Sequence, residues 1–394
     1  MRDTILVINA GSSSIKFYLY DITGPGQLQA RLGGQLSGIG TPHPQLSVSS
    51  AEGAVEVERQ IAPAHAADVS NAQDVVGTWL SGHLNGVPRA VGHRVVHGGA
   101  EFTGPVLVDD AVLAKLDTYT DLAPLHQPHN LGPIRVIRER RPDLPQVACF
   151  DTAFHRSHGD LADRFAIPES LYARGVRRYG FHGLSYEYIA QRLKAVLPEL
   201  AAGKVVAAHL GSGVSACAMQ AGHSVDSTMG FTAMDGLPMS TRPGRLDAGV
   251  VLWMMEQGMD HDAIEALLYH DCGLKGLSGI SGDMRDLQAS GDPRARLALD
   301  YFAWRSAEGI LGLGCAMNGI DGIVFTAGIG EHSAEMRAAI AAHWQWLGVK
   351  LDPERNARHE QRISADDSRI GLYVVPTNEE LIIAQHTLDL VSRA

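Results

Sequence analysis

Two pairs of apolar runs, each interrupted by a glycine-rich turn, stand out in the hydrophobic pattern of the chain. Residues 5–8 form an apolar run that stops at the turn 9–14, and a second apolar run follows over residues 15–20. The same arrangement recurs near the middle, where apolar runs flank the turn 209–213. β-Rich runs around a Gly/Ser turn predict β-hairpins. Because the two hairpins lie about half a chain apart, we interpret the chain as a duplicated domain.

A long helix is predicted from Pro293. Asp292 is a typical N-cap, and proline is favoured in the first helical turn. Large side chains recur at spacings of three and four, which predicts that they share the mostly apolar, buried face: Leu297, Tyr301, Trp304, Glu308 and Leu311. Glycines 319 and 322 are expected to close the helix, and residues 320–326 then predict a buried strand. Strands that alternate with helices predict an α/β fold with mixed sheets.

Composition narrows the class of protein. The 394 residues are 45% hydrophobic and 20% charged, as in globular proteins of two or three domains. The net charge of −11 gives nucleic acid and anionic membranes no general reason to bind. The four cysteines lie far apart without a CxxC pair, which fits a reducing compartment and gives no zinc signature. No apolar run reaches the roughly 18 residues of a membrane span, and the N-terminal run is too short for a secretion signal, so we expect a cytoplasmic protein.

Three glycine-containing segments are candidates for phosphate binding. The turn 9–14 offers backbone N–H groups and hydroxyls, with Lys16 as a point charge and Asn9 as a magnesium ligand. The turn 209–213 repeats this pattern, and residues 328–332 follow a predicted strand. Residues 328–332 spell neither GxGxxG nor GxxxxGK[ST], so this segment indicates neither a dinucleotide fold nor a P-loop. The alternatives are a Gly/Ser turn without function and tight strand–helix packing.

Charged side chains at strand ends are candidates for recognition and catalysis. Arg94 follows an apolar run, and Arg242 precedes a rigid turn. The planar guanidinium of arginine is suited to binding carboxylates and phosphates. The alternative for either residue is an ion pair on the surface. Asp151 ends an apolar strand, which places a carboxylate at the mouth of an α/β cleft or at a helix N-cap. His182 lies between glycines, open to a ligand, but a structural histidine is the alternative. Glu379, in the first turn of an apolar helix, either faces Asn9 across a metal or stabilises the helix dipole.

Taken together, nine segments resemble the acetate kinase family of short-chain carboxylate kinases, within the acetate and sugar kinase/Hsp70/actin superfamily. The segments occur in order from end to end: NAGSSSIK, GHRVVHGG, LAPLHQPHN, FDTAFH, YGFHGLS, MGFTAMDGLPMSTR, SGISGDMRDL, FTAGIGEHS and PTNEEL. The resemblance implies two duplicated actin-like (ribonuclease H-like) α/β domains, with mixed β-sheets flanked by helices around a central nucleotide cleft. Residues 1–148 with 380–394 would form the N-terminal domain, and residues 149–379 the C-terminal domain with the nucleotide-binding segments.

The resemblance also implies an activity and its participants. The enzyme would be a homodimer that reversibly transfers the γ-phosphoryl group of ATP to acetate, in line and directly, giving acetyl phosphate and ADP. Mg²⁺ would be required, with Mn²⁺ as a substitute.

Roles for single residues are carried over by motif position. The implied metal ligands are Asn9 and Glu379. The implied catalytic residues are Arg94, Asp151, His182 and Arg242, of which Arg94 would bind the carboxylate, Asp151 would carry the acid/base role, and the other two would stabilise the transition state. The substrate would be bound by Arg94, Val96, Leu125 and Phe181, of which the last three would lie beside the pocket for its methyl group. ATP would contact Lys16, His209, Leu210, Gly211, Ser212, Gly213, Asp283, Met284, Arg285, Gly328, Ile329, Gly330, Glu331 and His332.

Elementary chemistry agrees with most of these roles. A loose phosphoryl-transfer transition state spreads negative charge over its equatorial oxygens, so positioned cations supply most of the catalysis. A general base is not needed, because acetate is already ionised at pH 7, given carboxylate pKa values near about 4. We therefore hypothesise that Asp151 orients Arg94 or the metal shell and accepts no proton.

Four positions depart from the usual family pattern, and they leave alternatives open. Ser212 and His332 both stand where asparagine is usual, and Arg245 stands where aspartate is usual. Ala233 replaces a proline of the acyl pocket, which would admit about one more methylene, worth roughly 1–3 kcal/mol in discrimination. A propionate or broader short-chain carboxylate kinase is therefore the first alternative. An actin- or Hsp70-like ATPase is the second, but it gives Arg94, His182 and Arg242 no role.

Overall fold

The computed structural model describes residues 3–11, 13–84, 86–124 and 126–393. The chain divides into two compact units: unit 1 comprises residues 1–153 with 378–394, and unit 2 comprises residues 154–377. Each unit is built around one β-sheet with helices packed on it. The domain boundaries implied by the resemblance, after residues 148 and 379, stay a prediction.

The strands of the described residues are β1 (Thr4–Ala10), β2 (Ser14–Gly24), β3 (Gln27–Ser37), β4 (Gln45–Ser50), β5 (Val55–Gln60), β6 (Ala90–Val95), β7 (Val106–Leu107), β8 (Gln146–Phe150), β9 (Lys204–Leu210), β10 (Val214–Gln220), β11 (His223–Ser227), β12 (Gly322–Thr326) and β13 (Gly371–Val374).

The α-helices are α1 (Val69–His83), α2 (Asp110–Asp117), α3 (Gln127–Arg140), α4 (Asp160–Asp163), α5 (Glu169–Tyr172), α6 (Gly183–Val196), α7 (Pro198–Ala201), α8 (Ala248–Glu256), α9 (His261–His270), α10 (Gly273–Ser278), α11 (Met284–Ala289), α12 (Pro293–Gly312), α13 (Gly314–Met317), α14 (Ala327–His332), α15 (Ala334–Ala342), α16 (Pro353–Ala357) and α17 (Glu379–Arg393). Short 3-10 helices lie at Pro63–Ala66, Thr120–Leu122, Ala153–Ser157 and Gln345–Leu347. In the described part of the chain, no helix is both long and apolar enough to cross a membrane.

Both predicted hairpins form, and they occupy equivalent places in the two sheets. The sheet of unit 1 has the order β5-β4-β3-β2-β1-β6-β8-β7, and that of unit 2 the order β11-β10-β9-β12-β13. In each, the hairpin strands pair antiparallel, and two further strands pair parallel beyond the first of them: β6 and β8 in unit 1, β12 and β13 in unit 2. The five strands β3-β2-β1-β6-β8 thus repeat as β11-β10-β9-β12-β13. This repeat confirms the α/β fold with duplicated mixed sheets.

The central strands are buried on both faces. Strands β8 and β12 are buried at every position, as expected for parallel strands covered by helices on both sides. In unit 1, helix α1 packs on the β1–β2 hairpin, and α17 packs on β1, β6 and β8. In unit 2, α6 packs on β9, with Ile189 and Leu193 in the shared core. These layers fix the ends of the strands, where the candidate site residues lie.

Helix α12 begins as predicted, but its buried face is not the predicted one. Asp292 caps it by accepting a hydrogen bond from the Arg294 backbone N–H, and the helix ends at Gly312, earlier than expected. Leu297 and Trp304 are 59% and 50% exposed. The face that packs on α10 and α15 consists mostly of smaller residues: Ala295, Ala298, Leu299, Phe302, Ala303, Ser306, Ala307 and Ile310. The prediction was wrong because close packing between helices selects small side chains, which the pattern of large residues does not reveal.

Candidate active site

A bidentate ion pair lies at the end of the parallel strands of unit 1. Arg94 is on β6, opposite Cys149 of β8, and Asp151 directly follows β8. Arg94 Nε donates to Asp151 Oδ1 at 2.9 Å, and Nη2 donates to Oδ2 at 2.6 Å. The Asp151 side chain is only 2% exposed. Because both carboxylate oxygens accept from the guanidinium, the carboxylate holds Arg94 in place.

Asn9, Lys16 and Glu379 belong to the same end of unit 1. Asn9 pairs with Lys16 across the hairpin, and Asn9 Oδ1 lies 3.5 Å from Arg94 Nη1. Glu379 is the first residue of α17, and its Oε2 lies 4.0 Å from Arg94 Nε. Burial is the largest cause that raises the pKa of Glu379; Asp151 and Glu380 also raise it and Arg94 and Lys16 lower it, and the net pKa is about 7. The structure therefore gathers the residues predicted for the metal and the carboxylate of the substrate.

The donor set of this cluster fits Mg²⁺ held partly by substrate. Asn9 offers an amide oxygen and Glu379 a carboxylate, and Mg²⁺ is usually bound by one or two carboxylates together with phosphates and waters. Among the described residues, no group of three or more His, Cys, Asp or Glu side chains is arranged to enclose a metal. A buried carboxylate whose pKa is raised by its neighbours is stabilised by an added cation.

The two hairpin turns close in the same way. The Gly11 N–H donates to the Ser14 carbonyl at 2.9 Å, and the Gly211 N–H donates to the Gly213 carbonyl at 3.1 Å. These two N–H groups are used inside the turns and are not directed at a ligand. Ser12, in the middle of the first turn, lies outside the described residues.

His182 and Arg242 meet over the second turn, in unit 2. His182 precedes α6 with a left-handed backbone (φ 58°), and its Nδ1 is hydrogen-bonded to Ser215 Oγ at 2.8 Å. Arg242 Nη1 donates to the Ala233 carbonyl at 2.5 Å. A β-carbon on Gly213 would lie 2.9 Å from Arg242 Nη2 and 3.1 Å from His182 Nε2. The second glycine of the turn therefore provides the space in which two nitrogen donors converge.

A pocket of about 640 Å³ adjoins this turn in unit 2, within the usual range for small-molecule sites of about 300–1,000 Å³. It brings together eight residues predicted to contact nucleotide: Gly211, Ser212, Asp283, Met284, Arg285, Gly328, Ile329 and His332. The predicted His209, Leu210, Gly213, Gly330 and Glu331 do not line it. Glu331 has a structural role instead, because its Oε1 accepts from the backbone N–H groups of Ala327 at 2.8 Å and Thr377 at 3.1 Å.

The pocket and the strand ends also use residues that sequence reasoning missed. The missed pocket residues are Ser240, Gly282, Gln288, Ser333, Ala334 and Glu335. Most of them flank a predicted segment, and Gln288 lies one helical turn after Met284, so helical spacing would have found it. In unit 1, Asn130 donates to the Ala10 carbonyl at 2.6 Å and accepts from the Val96 N–H at 2.9 Å. It fixes the end of β1 to the segment after β6.

Comparison with known proteins supplies the context for this geometry. The family model described as the acetokinase family matches residues 4–385. The chain belongs to the acetokinase family. It is 55% identical over 390 residues to the acetate kinase of Nitrobacter hamburgensis, covering 99% of this chain and 96% of that protein.

Solved structures agree with the fold of this acetokinase. A propionate kinase from Francisella tularensis superposes with a TM-score of 0.90 at 34% identity, covering 98% of this chain and 99% of that one. The acetate kinase of Porphyromonas gingivalis superposes with a TM-score of 0.87 at 31% identity, covering 99% of this chain and all (100%) of that chain.

Two departures from the family pattern face solvent in this acetokinase. The His332 side chain is 80% exposed. Arg245 is 78% exposed, and its Nη1 lies 3.9 Å from Glu308 Oε1. Arg245 also lines a separate polar pocket of about 420 Å³ that contains none of the predicted site residues. Arg245 therefore lies outside the 640 Å³ pocket that His332 lines.

The predicted acyl-binding residues are only partly described in this acetokinase. Val96 in unit 1 is 7% exposed, and Phe181 in unit 2 is 2% exposed. Leu125 lies outside the described residues. The Phe181 carbonyl accepts from His155 Nε2 at 2.9 Å, which fixes the backbone next to His182.

Beside the pocket, Asp283 caps α11 and pairs with Arg285, whose hydrogen bonds lower the pKa of Asp283 to about 2. This pairing occupies the carboxylate and turns the guanidinium toward solvent, where Arg285 is 88% exposed.

Proposed function

We propose that the chain is an acetate kinase, which reversibly transfers the γ-phosphoryl group of ATP to acetate to give acetyl phosphate and ADP. The observation that carries the proposal is the Arg94–Asp151 pair beside Glu379, in a family whose 55%-identical member is named acetate kinase. A guanidinium fixed by a buried carboxylate is suited to bind a second, mobile carboxylate.

Unit 1 binds the acceptor in this proposal. Arg94 binds the carboxylate of acetate, and Asp151 keeps the guanidinium oriented. No proton has to be removed from acetate, since it is ionised at neutral pH. Asp151 is therefore a positioning residue and not the general base. Lys16, across the hairpin from Asn9, contributes a positive charge for phosphate.

Asn9 and Glu379 are the residues of this chain that would hold Mg²⁺, with Mn²⁺ as a substitute. The bound ion would neutralise charge on the phosphates of the nucleotide. Glu379 has to be ionised for this role, and the pKa of about 7 places its ionisation near neutral pH.

Unit 2 binds the donor in this proposal. The 640 Å³ pocket accepts ATP or ADP, with Gly211 and Ser212 on the phosphate side and the 283–285 and 328–332 segments around the remainder. His182 Nε2 and Arg242 Nη2, which converge over Gly213, donate to the equatorial oxygens of the transferring phosphoryl group. Donors fixed in advance stabilise charge that develops only in the transition state.

The proposal is tested by incubating the purified protein with ATP, Mg²⁺ and hydroxylamine plus acetate, propionate or butyrate. Acyl phosphate is trapped as the hydroxamate while ADP is counted in parallel. Hydroxamate equal to ADP, and highest with acetate, is expected. ADP without hydroxamate from any acid would mean an ATPase and would refute the proposal.

Propionate is the second candidate acceptor, and Ala233 is the observation that favours it. An alanine at this position leaves more room than the usual proline, and a propionate kinase is among the superposable structures. A propionate optimum in the same assay, returned to acetate by Ala233→Pro, would establish this alternative.

We further propose that the protein is a homodimer. Unit 2 exposes large apolar side chains on two helices, including Trp253 on α8 (57% exposed) and Trp304 on α12 (50% exposed). Exposed apolar residues in such number are typical of interaction surfaces. Light scattering behind a sizing column should give twice the chain mass of 42.2 kDa; a single chain mass at micromolar concentration would refute the dimer.

A further inference from the structure

A buried hydroxyl chain ends on the ring of His182. Ser215 lies on β10, opposite His209 of β9, and is fully buried. Its Oγ is hydrogen-bonded to His182 Nδ1 at 2.8 Å and to the hydroxyl of Tyr186. Tyr186 lies in the first turn of α6, and His182 immediately precedes that helix, so both side chains reach Ser215 from the N-terminal end of α6. These two hydrogen bonds link the three groups in the order Tyr186, Ser215, His182.

We propose that Ser215 and Tyr186 are positioning residues, which hold His182 as the neutral tautomer with its proton on Nε2, pointing at the transferring phosphoryl group. This inference rests on the proposed function for the identity of that phosphoryl group. The tautomer itself is a property of the free protein.

The direction of the hydrogen bonds follows from the chemistry of the three groups. A phenol is a better donor than an aliphatic hydroxyl, and an imidazole nitrogen is a better acceptor than either oxygen. Tyr186 therefore donates to Ser215 Oγ, and Ser215 donates its single proton to His182 Nδ1. In a neutral ring, a nitrogen that accepts leaves the proton on the other nitrogen, which here is Nε2.

The position of His182 Nε2 explains why a proton on this nitrogen matters for the reaction. Nε2 lies 3.1 Å from the place of a β-carbon on Gly213, next to Arg242 Nη2. With the proton on Nε2, both nitrogens are donors toward the same point. In the other tautomer, Nε2 would present a lone pair to a negatively charged oxygen.

A stacked second imidazole keeps the ring of His182 in this plane. The rings of His182 and His209 are 4.2 Å apart between centroids and 17° from parallel. His209 is fixed in turn, since its Nδ1 is hydrogen-bonded to Ser185 Oγ at 2.9 Å, and Ser185 Oγ is hydrogen-bonded to Thr377 Oγ1 at 2.9 Å. The stack sets the plane of the ring, and Ser215 sets the location of the proton.

The first test observes the tautomer directly. The full-length protein is labelled with ¹⁵N-histidine, and the ring resonances of His182 are assigned by their loss in His182→Gln. We expect a protonated Nε2 and an unprotonated Nδ1 at pH 7.5 without ligands, and loss of this preference in Ser215→Ala. A proton on Nδ1 in the wild-type protein, in either the neutral or the cationic ring, would overturn the proposal.

The second test measures coupling to His182. We expect Ser215→Ala to lower kcat by about 10- to 100-fold, the range seen when an orienting partner is removed, with KM for ATP and acetate changed by less than about threefold. Tyr186→Phe should have a smaller effect in the same direction. In a His182→Ala background, Ser215→Ala should have no further effect, because groups that act as one unit are not additive.

Ser306→Ala is the matched control. Ser306 is also fully buried in unit 2, but its Oγ has no hydrogen-bond partner among the described residues. This variant should retain wild-type kcat and the wild-type His182 spectrum. An equal loss of kcat from Ser215→Ala with and without His182 would assign Ser215 a separate, structural role and overturn the proposal. Absence of hydroxamate from the wild-type protein would refute the proposed function alone, because the NMR result still decides the tautomer.

Discussion

Asp151→Asn tests whether the buried carboxylate positions Arg94 or accepts a proton. Asparagine keeps the shape of the side chain but has one carbonyl oxygen in place of two charged ones. It retains one acceptor for the guanidinium and turns an NH₂ donor toward the second N–H. Two hydrogen bonds between ionised partners, at 2.9 and 2.6 Å, are thus replaced by one bond from the guanidinium to an uncharged acceptor.

The loss can be sized from these contacts. Hydrogen bonds to charged groups contribute about 1.5–3 kcal/mol each. Losing one bond and weakening the other should therefore reduce the free energy with which Arg94 binds and orients acetate by about 2–3 kcal/mol. This corresponds to a decrease of about 30- to 150-fold in kcat/KM for acetate. KM for ATP should change little, because the residues proposed to bind ATP, apart from Lys16, belong to unit 2 and not to the Arg94–Asp151 pair.

The assay is hydroxamate formation at varied acetate between pH 6 and 9. Asp292→Asn is the matched control: this carboxylate also holds an arginine side chain, Arg294, through two bonds of 3.2 and 2.8 Å, but at the start of α12. Asparagine caps helices as well as aspartate does, so the control should retain full activity. A loss in Asp151→Asn with an unchanged pH profile is expected. An unchanged acetate dependence together with a shifted pH profile would refute the positioning role and make Asp151 the base.

Three further predictions follow from single contacts. Gly213→Ala should lower kcat by at least about 10-fold, with little change in the midpoint of urea unfolding, because its methyl group would lie 2.9 Å from Arg242 Nη2. Arg337→Met should lower the free energy of unfolding by about 3–5 kcal/mol, measured by urea denaturation, because this fully buried guanidinium donates to backbone oxygens and one side-chain oxygen that would lose their donor; exposed Arg358→Met is the control. Since the pKa of Glu379 is raised to about 7, protons should compete with Mg²⁺ for this carboxylate below that pH. The Mg²⁺ concentration for half-maximal activity should therefore fall as the pH rises from about 6 to about 7 and stay constant at higher pH. Glu379→Gln should remove this pH dependence.

The hairpins and most of the candidate site could be predicted because local sequence encodes them. A Gly/Ser turn between β-rich runs leaves few alternatives, and Asp151 and Glu379 lie at element ends that local signals mark. The buried face of α12 could not be predicted in the same way. Which face a helix buries depends on its neighbours, and Leu297 stays exposed because the small residues of the other face allow closer packing.

The support around the site was also invisible to sequence reasoning. The hydroxyls of Ser215 on β10 and Tyr186 on α6 are brought together only by the packing of the helix on the sheet. The spacing of residues 186 and 215 in the sequence does not indicate this contact. Similarly, the Gly11 N–H is an available donor in the sequence but closes its own turn in the structure. Long-range packing and local hydrogen-bond competition decide such contacts, and neither has a periodic signal.

Helix α17 completes the core of unit 1, although it follows all of unit 2 in the sequence. It buries Ile382, Ile383 and Leu388, and it crosses β6 so closely that a side chain on Gly92 would collide with it. Yet residues 378–393 leave the ribosome only after all of unit 2 has been made. Unit 1 therefore lacks one layer of its core while unit 2 is being synthesised. During that time Glu379 is also absent from the neighbourhood of Arg94 and Asp151. A chain that has been synthesised only as far as residue 377 therefore contains all the residues that line the 640 Å³ pocket of unit 2 but still lacks Glu379.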